Sequence, residues 1–390
     1  MKETLKEVAI TDFKLQGILR EEYLNKIEPW LSRPEIIIIK GIRRSGKSTI
    51  LQQIAARTGK KAIYINFDDY RFLKYLDIPL LEEVLKEFND YDYYFLDEIQ
   101  KIKGFESWLR THYDIKSHKK FIISGSNISL FAPSLATVLT GRNITFEVFP
   151  FSYSEIKKNK LSTLGEYLFY GGFPEVVLEK DIEKKKQLLL QYFDDILLRD
   201  VFERYSIVAT QQFKALAQYI LSNTGLKISS NKLAKELNIN PRSAENYLSY
   251  LVDAYLIFEV PFFSYSAKTK YIAGRASKYY TIDNGLTTAL SSRPSEGHLY
   301  ESLVAQKLRK NSKEQLYYWN GKNEVDFISG GKAINVVSSE RIPEREFKGL
   351  KELKSEKKHI KDFVLLTRYP KKSEEVETML IEDFLISFQG

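Results

Sequence analysis

The sequence predicts an α/β protein whose first part is a parallel five-stranded sheet, and three observations predict it. Apolar strand-like runs alternate with helix-compatible segments from Glu35 to about Pro150, a rhythm that produces a parallel sheet covered by helices. A run of four isoleucines, Ile36 to Ile39, leads through a glycine-framed loop directly into a helical segment. A second apolar run, Tyr93-Tyr94-Phe95-Leu96, ends in the adjacent acids Asp97 and Glu98.

Strands are expected at 35–40, 61–67, 93–96, 120–124 and 144–148, with helices at 47–58 and 105–117 among the segments between them. In open sheets of this kind ligands collect at the carboxyl ends of the strands, and both motifs stand there.

The loop after the isoleucines is Gly41-Ile42-Arg43-Arg44-Ser45-Gly46-Lys47-Ser48, followed by Thr49. Its Gly-x-x-x-x-Gly-Lys-Ser spacing, between a strand and a helix, is that of a phosphate-binding P-loop. The glycines let the backbone curl so that its N–H groups face phosphate oxygens, and the helix start adds its positive dipole end. The candidate ATP-binding residues are therefore Gly41, Arg43, Arg44, Ser45, Gly46, Lys47, Ser48 and Thr49. Lys47 is expected to reach the β- and γ-phosphates and Ser48 to ligate Mg²⁺.

Asp97 is expected to hold the Mg²⁺ through its water shell, and Glu98 to polarise the attacking water. Two adjacent carboxylates at a strand end repel unless a cation sits between them or one is used for chemistry; an acidic helix cap is the structural alternative. The next strand ends in Ser124-Gly125-Ser126-Asn127. Ser124 and Asn127 are candidates to sense the γ-phosphate, or members of an ordinary turn. Arg142, after Gly141, is either a salt-bridge residue or an arginine finger reaching a neighbouring subunit's nucleotide.

Composition sets the bounds. The chain has 390 residues, more than one ordinary core, of which 43% are hydrophobic and 28% charged, as in globular proteins. It has no cysteine, which excludes disulfides, thiolate metal sites and cysteine nucleophiles. Apolar stretches near 36–39 and 248–263 are too short, or broken by Asp253, Glu259 and Pro261, to span a bilayer. The opening residues, Met1 to Glu7, carry charges where a signal peptide is apolar. A cytoplasmic protein with no membrane partner is expected. The net charge of +8 favours an anionic partner such as nucleic acid, a merely basic soluble protein being the alternative.

Together these motifs resemble a AAA+-type ATPase. More narrowly, they resemble a prokaryotic family, common in archaea, with a AAA+ core and a long C-terminal region. The residues that carry the resemblance are the P-loop, Phe95-Leu96-Asp97-Glu98-Ile99-Gln100, Ile123-Ser124-Gly125-Ser126-Asn127, and Leu139-Thr140-Gly141-Arg142 leading to Phe149-Pro150-Phe151-Ser152. Tyr170-Gly171-Gly172-Phe173-Pro174-Glu175 and Asp200-Val201 also match. The resemblance implies ATP hydrolysis, a ring oligomer such as a hexamer, and work on nucleic acid.

The expected domains are a AAA+ core at 1–150, a helical lid or connector at 151–208, a winged helix-turn-helix at 209–290 and a C-terminal α/β domain at 291–390. In the third, residues 229–240 read as a capped helix and turn, and 241–251 as a second helix begun by Pro241. A hairpin follows, its strands beginning at Tyr255 and Lys278. Arg242, Ser243 and Asn246 would face a DNA groove, and Lys268, Lys270 and Arg275 at the hairpin tip would touch phosphates.

In the last, a helix bearing Glu301, a hairpin bearing Asp326 and the following strand resemble the PD-(D/E)xK nuclease fold. There a Glu-x-Lys pair completes a divalent-metal site, but Asn335 and Val337 occupy those positions here. A nuclease-like domain without activity is expected, with Glu301 and Asp326 vestigial. A metal site rebuilt from Glu301, Glu324 and Asp326 is the alternative. The function expected is a Mg²⁺-dependent AAA+ ATPase coupling hydrolysis to DNA binding and remodelling or translocation, with branched DNA as one candidate substrate. The alternatives are an ATP-dependent switch or protein-remodelling ATPase and, less favoured, a metal-dependent nuclease.

Overall fold

The computed structural model describes residues 1–126, 138–264, 276–311, 314–356, 360–374 and 376–388. They form two units, Met1–Phe149 and Pro150–Gly390.

The first unit holds β1 (Ile36–Lys40), β2 (Ala62–Asn66), β3 (Tyr93–Asp97), β4 (Lys120–Gly125) and β5 (Asn143–Glu147). They make one parallel sheet in the order β2-β3-β4-β1-β5. Helices cover both faces, which is why β1 is apolar throughout rather than alternating. Ile36 and Ile38 pack with Ile63, Ile65, Leu96 and Ile123 on one face. Ile37 and Ile39 pack with Ile50, Ile54, Phe95 and Ile122 on the other. The helix expected at 105–117 spans Phe105–Asp114 and stops early, because Lys116 and His118 take left-handed backbone angles that a right-handed helix cannot accommodate.

The second unit begins with short helices and the longer Ile182–Ile196. A three-stranded antiparallel sheet follows, in which β6 (Lys227–Ile228) and β7 (Ile257–Val260) flank β8 (Ser277–Thr281). Two helices, Ser230–Leu237 and Pro241–Asp253, lie in sequence between β6 and β7. Their ends are chemically set. The Ser229 hydroxyl accepts from the Lys232 N–H, left-handed Asn238 ends the first helix, and the Asn240 side chain accepts from the Arg242 N–H at 2.8 Å. Leu233 and Ala234 of the first helix and Ala244, Leu248 and Leu251 of the second are buried.

The last sheet runs β13-β12-β11-β10-β9, from β9 (Tyr317–Asn320), β10 (Glu324–Ser329), β11 (Lys332–Val337), β12 (Asp362–Thr367) and β13 (Glu377–Leu380). β9, β10 and β11 form an antiparallel meander, and β12 and β13 continue parallel to β11. Helix Glu296–Asn311 precedes this sheet, and helix Glu344–Glu356 makes the crossover from β11 to β12.

The Gly171-Gly172-Phe173-Pro174 element has a structural explanation. A Cβ on Gly171 would lie 1.7 Å from Asp283 Oδ1, and one on Gly172 would lie 2.1 Å from the Phe151 carbonyl oxygen. The Asp283 carboxylate accepts from the Gly172 and Gly285 N–H groups at 2.7 and 2.9 Å, and the Phe151 N–H donates to the Gly172 carbonyl at 2.7 Å. Two chain segments and a helix start thus meet on one buried acid. Gly172→Ala forces a methyl against backbone, and overpacking of this kind costs about 1–3 kcal/mol. The expected outcome is a lower urea midpoint for the second unit with nucleotide binding by the first unit retained, read by denaturation and nucleotide titration on the same preparation.

Candidate functional site

The P-loop leaves β1 at its carboxyl end. Gly41 has φ +145, and a Cβ there would sit 2.0 Å from the Val148 carbonyl oxygen. The loop therefore turns only because this residue has no side chain. Gly46 (φ 93) and Arg44 (φ 68) are left-handed, and helix Lys47–Thr58 starts immediately after them. Lys47 is buried, and its ammonium donates to the Gly41 and Ile42 carbonyls at 3.0 and 3.1 Å. The Ser45 side chain is fully buried, and its hydroxyl has no hydrogen-bond partner among the described residues. Arg43 and Ser48 are half-buried; Arg44 and Thr49 are exposed.

Asp97 is the last residue of β3 and is fully buried. One carboxylate oxygen accepts from the Tyr64 hydroxyl at 2.6 Å, the other from the Ser124 hydroxyl of β4. Among the described residues no cation pairs with it. Glu98, next in sequence, is left-handed at φ 53 and accepts from the Gln100 amide. A non-glycine residue held in this conformation stores strain of the kind found at functional sites. Burial pushes the Glu98 carboxyl above its ordinary value; Lys47 pulls against that, Asp97 adds to it and Arg43 opposes it. Burial, then the Asp97 charge, likewise raises the Tyr64 phenol. Together these groups offer curled N–H donors, an ammonium, a hydroxyl and two carboxylates, the set needed for a triphosphate with a divalent ion. A buried Asp97 with hydroxyl donors and, among the described residues, no ammonium, near the P-loop lysine, fits a nucleoside triphosphate with Mg²⁺.

Ser124 is thus brought beside Asp97, while Asn127 lies outside the described residues. Arg142 is elsewhere. Its guanidinium grips the Asp114 carboxylate at 2.8 and 3.3 Å, and it precedes Asn143, which pairs with Ile36 at the amino end of β1. That is one strand length, about 15 Å, from the P-loop end, so Arg142 does not serve the nucleotide site of its own chain.

Three contributors escaped the sequence reading. Tyr64 looks like one more apolar strand residue. Gln100 follows the paired acids with nothing local to assign it a role. Arg20 sits in an N-terminal stretch with no motif, yet it is 2% exposed and donates through one guanidinium nitrogen to the Ser45 and Phe149 carbonyls, at 3.0 and 2.8 Å. It ties the P-loop to the end of the strand that Gly41 approaches.

In the second unit Arg242 and Asn246 are exposed and Ser243 half-buried on helix Pro241–Asp253. Lys268, Lys270 and Arg275 lie outside the described residues. Glu301 and Asp326 do come together, with Glu324, but around an ammonium. Lys278 Nζ lies 2.9 Å from Glu301, 2.6 Å from Glu324 and 3.5 Å from Asp326. The alternative of a rebuilt metal site from these three acids is corrected accordingly: a lysine occupies their focus. Among the described residues no group of three or more His, Asp or Glu side chains is disposed to hold a metal ion.

Residues 33–157 match the family model of an AAA domain. Residues 161–297 and 296–380 match two domains of unknown function, DUF8612 and DUF4143. An uncharacterized protein of Methanocaldococcus jannaschii is 34% identical over 399 residues, covering 92% of this chain and 89% of the relative. An uncharacterized protein of Haemophilus influenzae is 29% identical over 293 residues, covering 69% of this chain and 72% of the relative. Among solved structures, the Walker-type ATPase of Pyrococcus abyssi superposes with a TM-score of 0.50 at 17% identity, covering 72% of this chain and 97% of that one. At that identity the likeness shows a shared P-loop ATPase fold.

Arg20→Ala removes the guanidinium that donates to two carbonyls, of Ser45 and Phe149. A hydrogen bond to a charged group is worth about 1.5–3 kcal/mol, so a loss of that order in first-unit stability is expected, together with weaker nucleotide binding. Thermal unfolding with and without Mg²⁺–nucleotide checks both.

Proposed function

We propose that this chain, which carries an AAA domain over residues 33–157 and belongs to the same family as its archaeal relative, is a Mg²⁺-dependent ATPase coupling hydrolysis to the binding and remodelling of DNA, assembled as a ring. The observation that carries the ATPase reading is the meeting of Lys47, Asp97 and Glu98 at the carboxyl ends of β1 and β3, with β4 between them supplying Ser124. In this reading the P-loop N–H groups and Lys47 bind the phosphates. Ser48 and Asp97 would hold Mg²⁺, which supplies charge neutralisation at the transferred phosphoryl group. Glu98 orients and polarises the attacking water. Tyr64 and Ser124 fix the Asp97 carboxylate, Gln100 holds Glu98, and Ser124 with Asn127 reads the γ-phosphate.

The DNA reading rests on the second unit. The two capped helices and the sheet order β6-β8-β7 support a winged helix-turn-helix, with Arg242, Ser243 and Asn246 toward the groove; in this reading Lys268, Lys270 and Arg275, outside the described residues, contact phosphates. The +8 charge agrees with it. The helix, meander and crossover of residues 296–388 support a nuclease-like domain without its chemistry. Arg142, far from its own nucleotide site, acts across a subunit boundary in the ring. A protein-remodelling role for the same ATPase is the second reading, favoured by exposed Leu178, Ile182, Leu198 and Val208 in the helical connector.

Lys47→Ala should abolish nucleotide binding. Glu98→Gln should bind ATP and lose about 10²-fold or more in turnover, the usual contribution of a positioned base; retained turnover removes Glu98 from that role. Because burial raises Glu98, the ionised base is lost as pH falls through a value above the ordinary carboxylate range. The acid limb of the kcat profile should therefore sit high in the wild type. Activity measured with linear, forked and four-way DNA tests the substrate. Affinity should fall by about 10³-fold or more from roughly 50 to roughly 200 mM salt if several phosphates are contacted. No DNA affinity at low salt overturns the DNA reading in favour of a protein partner.

A further inference from the structure

Lys278 is a lysine on a strand whose every residue is buried. It stands in β8 with its side chain 5% exposed. Its three N–H bonds face three carboxylates from two elements: Glu301 on helix Glu296–Asn311, and Glu324 with Asp326 on β10, two residues apart and so on one face of the strand. An ammonium has three donors and no acceptor, so three converging acceptors match it fully. Further donors also reach the cluster. Tyr280 donates to Glu301 and Lys227 to Glu324, while the Val336 N–H donates to Asp326 at 2.9 Å.

The position from which a nuclease of this fold would supply its next carboxylate is Asn335, and its amide is committed elsewhere. It accepts from the Asp326 N–H at 3.0 Å and donates to the Glu346 carboxylate at 3.0 Å. Val337, in the lysine position, is buried in the apolar cluster of this sheet with Leu350 and Leu353. The acids therefore do not fit a divalent ion, yet they are gathered in one place, in the wall of an open cleft of about 800 Å³ that also exposes Ser338, Arg345 and Glu346.

We propose that the Lys278 ammonium takes the place of a divalent cation in this carboxylate cluster, turning a metal site into a metal-refusing clamp between the three-stranded sheet and the C-terminal sheet. Lys278 and Lys227, from β8 and β6, both reach acids of the C-terminal domain, so the cluster holds two parts of the second unit together without a metal. A divalent ion at the same focus would stand within a few ångströms of a fixed positive charge, and in a partly buried site that repulsion is not screened. Removing the ammonium while keeping the acids should create an ion site.

The inference deepens the reading of this domain as a nuclease-like core, and the test separates the two. Mn²⁺ binding is titrated on the full chain without nucleotide, followed by the paramagnetic signal of the free ion. Wild type, Lys278→Met, Glu301→Gln and the double variant are compared. The wild type should bind no Mn²⁺ that Glu301→Gln removes. Lys278→Met should gain one site per chain, with affinity raised by about tenfold or more for loss of one nearby like charge, and the double variant should lose it. Wild-type binding abolished by Glu301→Gln overturns the proposal, as does a folded Lys278→Met chain with no added site. If Lys278→Met is unstable in chelator, Mn²⁺ should restore its thermal transition; failure to restore it also counts against the proposal. Lys278→Arg keeps the charge and should keep the ion out. Cleavage of DNA by the wild type would instead overturn the inactive-domain reading and leave the Mn²⁺ result to stand by itself.

Discussion

The burial of β1 on both faces is the constraint on which the first unit depends. Four isoleucines leave no side of the strand for water, so helices must cover both faces of the sheet, and only parallel crossovers bring them there. β5 then lies against β1 closely enough that Val148 meets Gly41 backbone to backbone. The P-loop is therefore shaped by the core as much as by its own glycines. Lys47 and Asp97 follow from the same packing, since β4 sits between their strands and reaches Asp97 through Ser124.

Much of this was legible because its signals are local. The isoleucine run, the loop spacing and the paired acids each lie within a few residues; the strand order β2-β3-β4-β1-β5 was not legible, because pairing between distant strands sets it. Helix boundaries with capping side chains, at Ser229 and Asn240, were legible because their signals too are local. The contributions of Arg20, Tyr64 and Lys278 were not. Each acts over a long sequence separation: Arg20 on Phe149, Tyr64 on Asp97, Lys278 on Glu301 and Glu324. A buried arginine or lysine looks in sequence like any surface one; only its partners reveal the difference. Gly171-Gly172 could be noticed as an element, but its reason, an acid more than a hundred residues away at Asp283, is tertiary.

Arg142 shows where spacing misleads by omission. Its place after Gly141 allows either a salt bridge or a reach to nucleotide, and the register of β5 against β1 decides the matter within one chain by putting it at the far end of the sheet. The ion pair with Asp114 is partly exposed to solvent, and pairs at the surface contribute little to stability, about 0–1 kcal/mol. Breaking it to engage something else is correspondingly cheap, which keeps Arg142 available to a neighbouring molecule.

The two carboxylate clusters of the chain differ in one physical respect, and that difference separates their chemistry. Asp97 is buried among hydroxyl donors that carry no charge. Its negative charge is oriented and desolvated but not neutralised, a state that favours an arriving cation. Glu301, Glu324 and Asp326 are likewise gathered and half-buried, but an internal ammonium is already paired with all three. Breaking a buried, charged network of that kind by removing one partner costs about 3–5 kcal/mol, so its occupant stays. In the proposed reading, an Asp97 held only by hydroxyl donors suits an ion that arrives and leaves with nucleotide. The cluster with its own cation is built to stay closed, and the folded chain keeps its acids there as a joint rather than as a reagent.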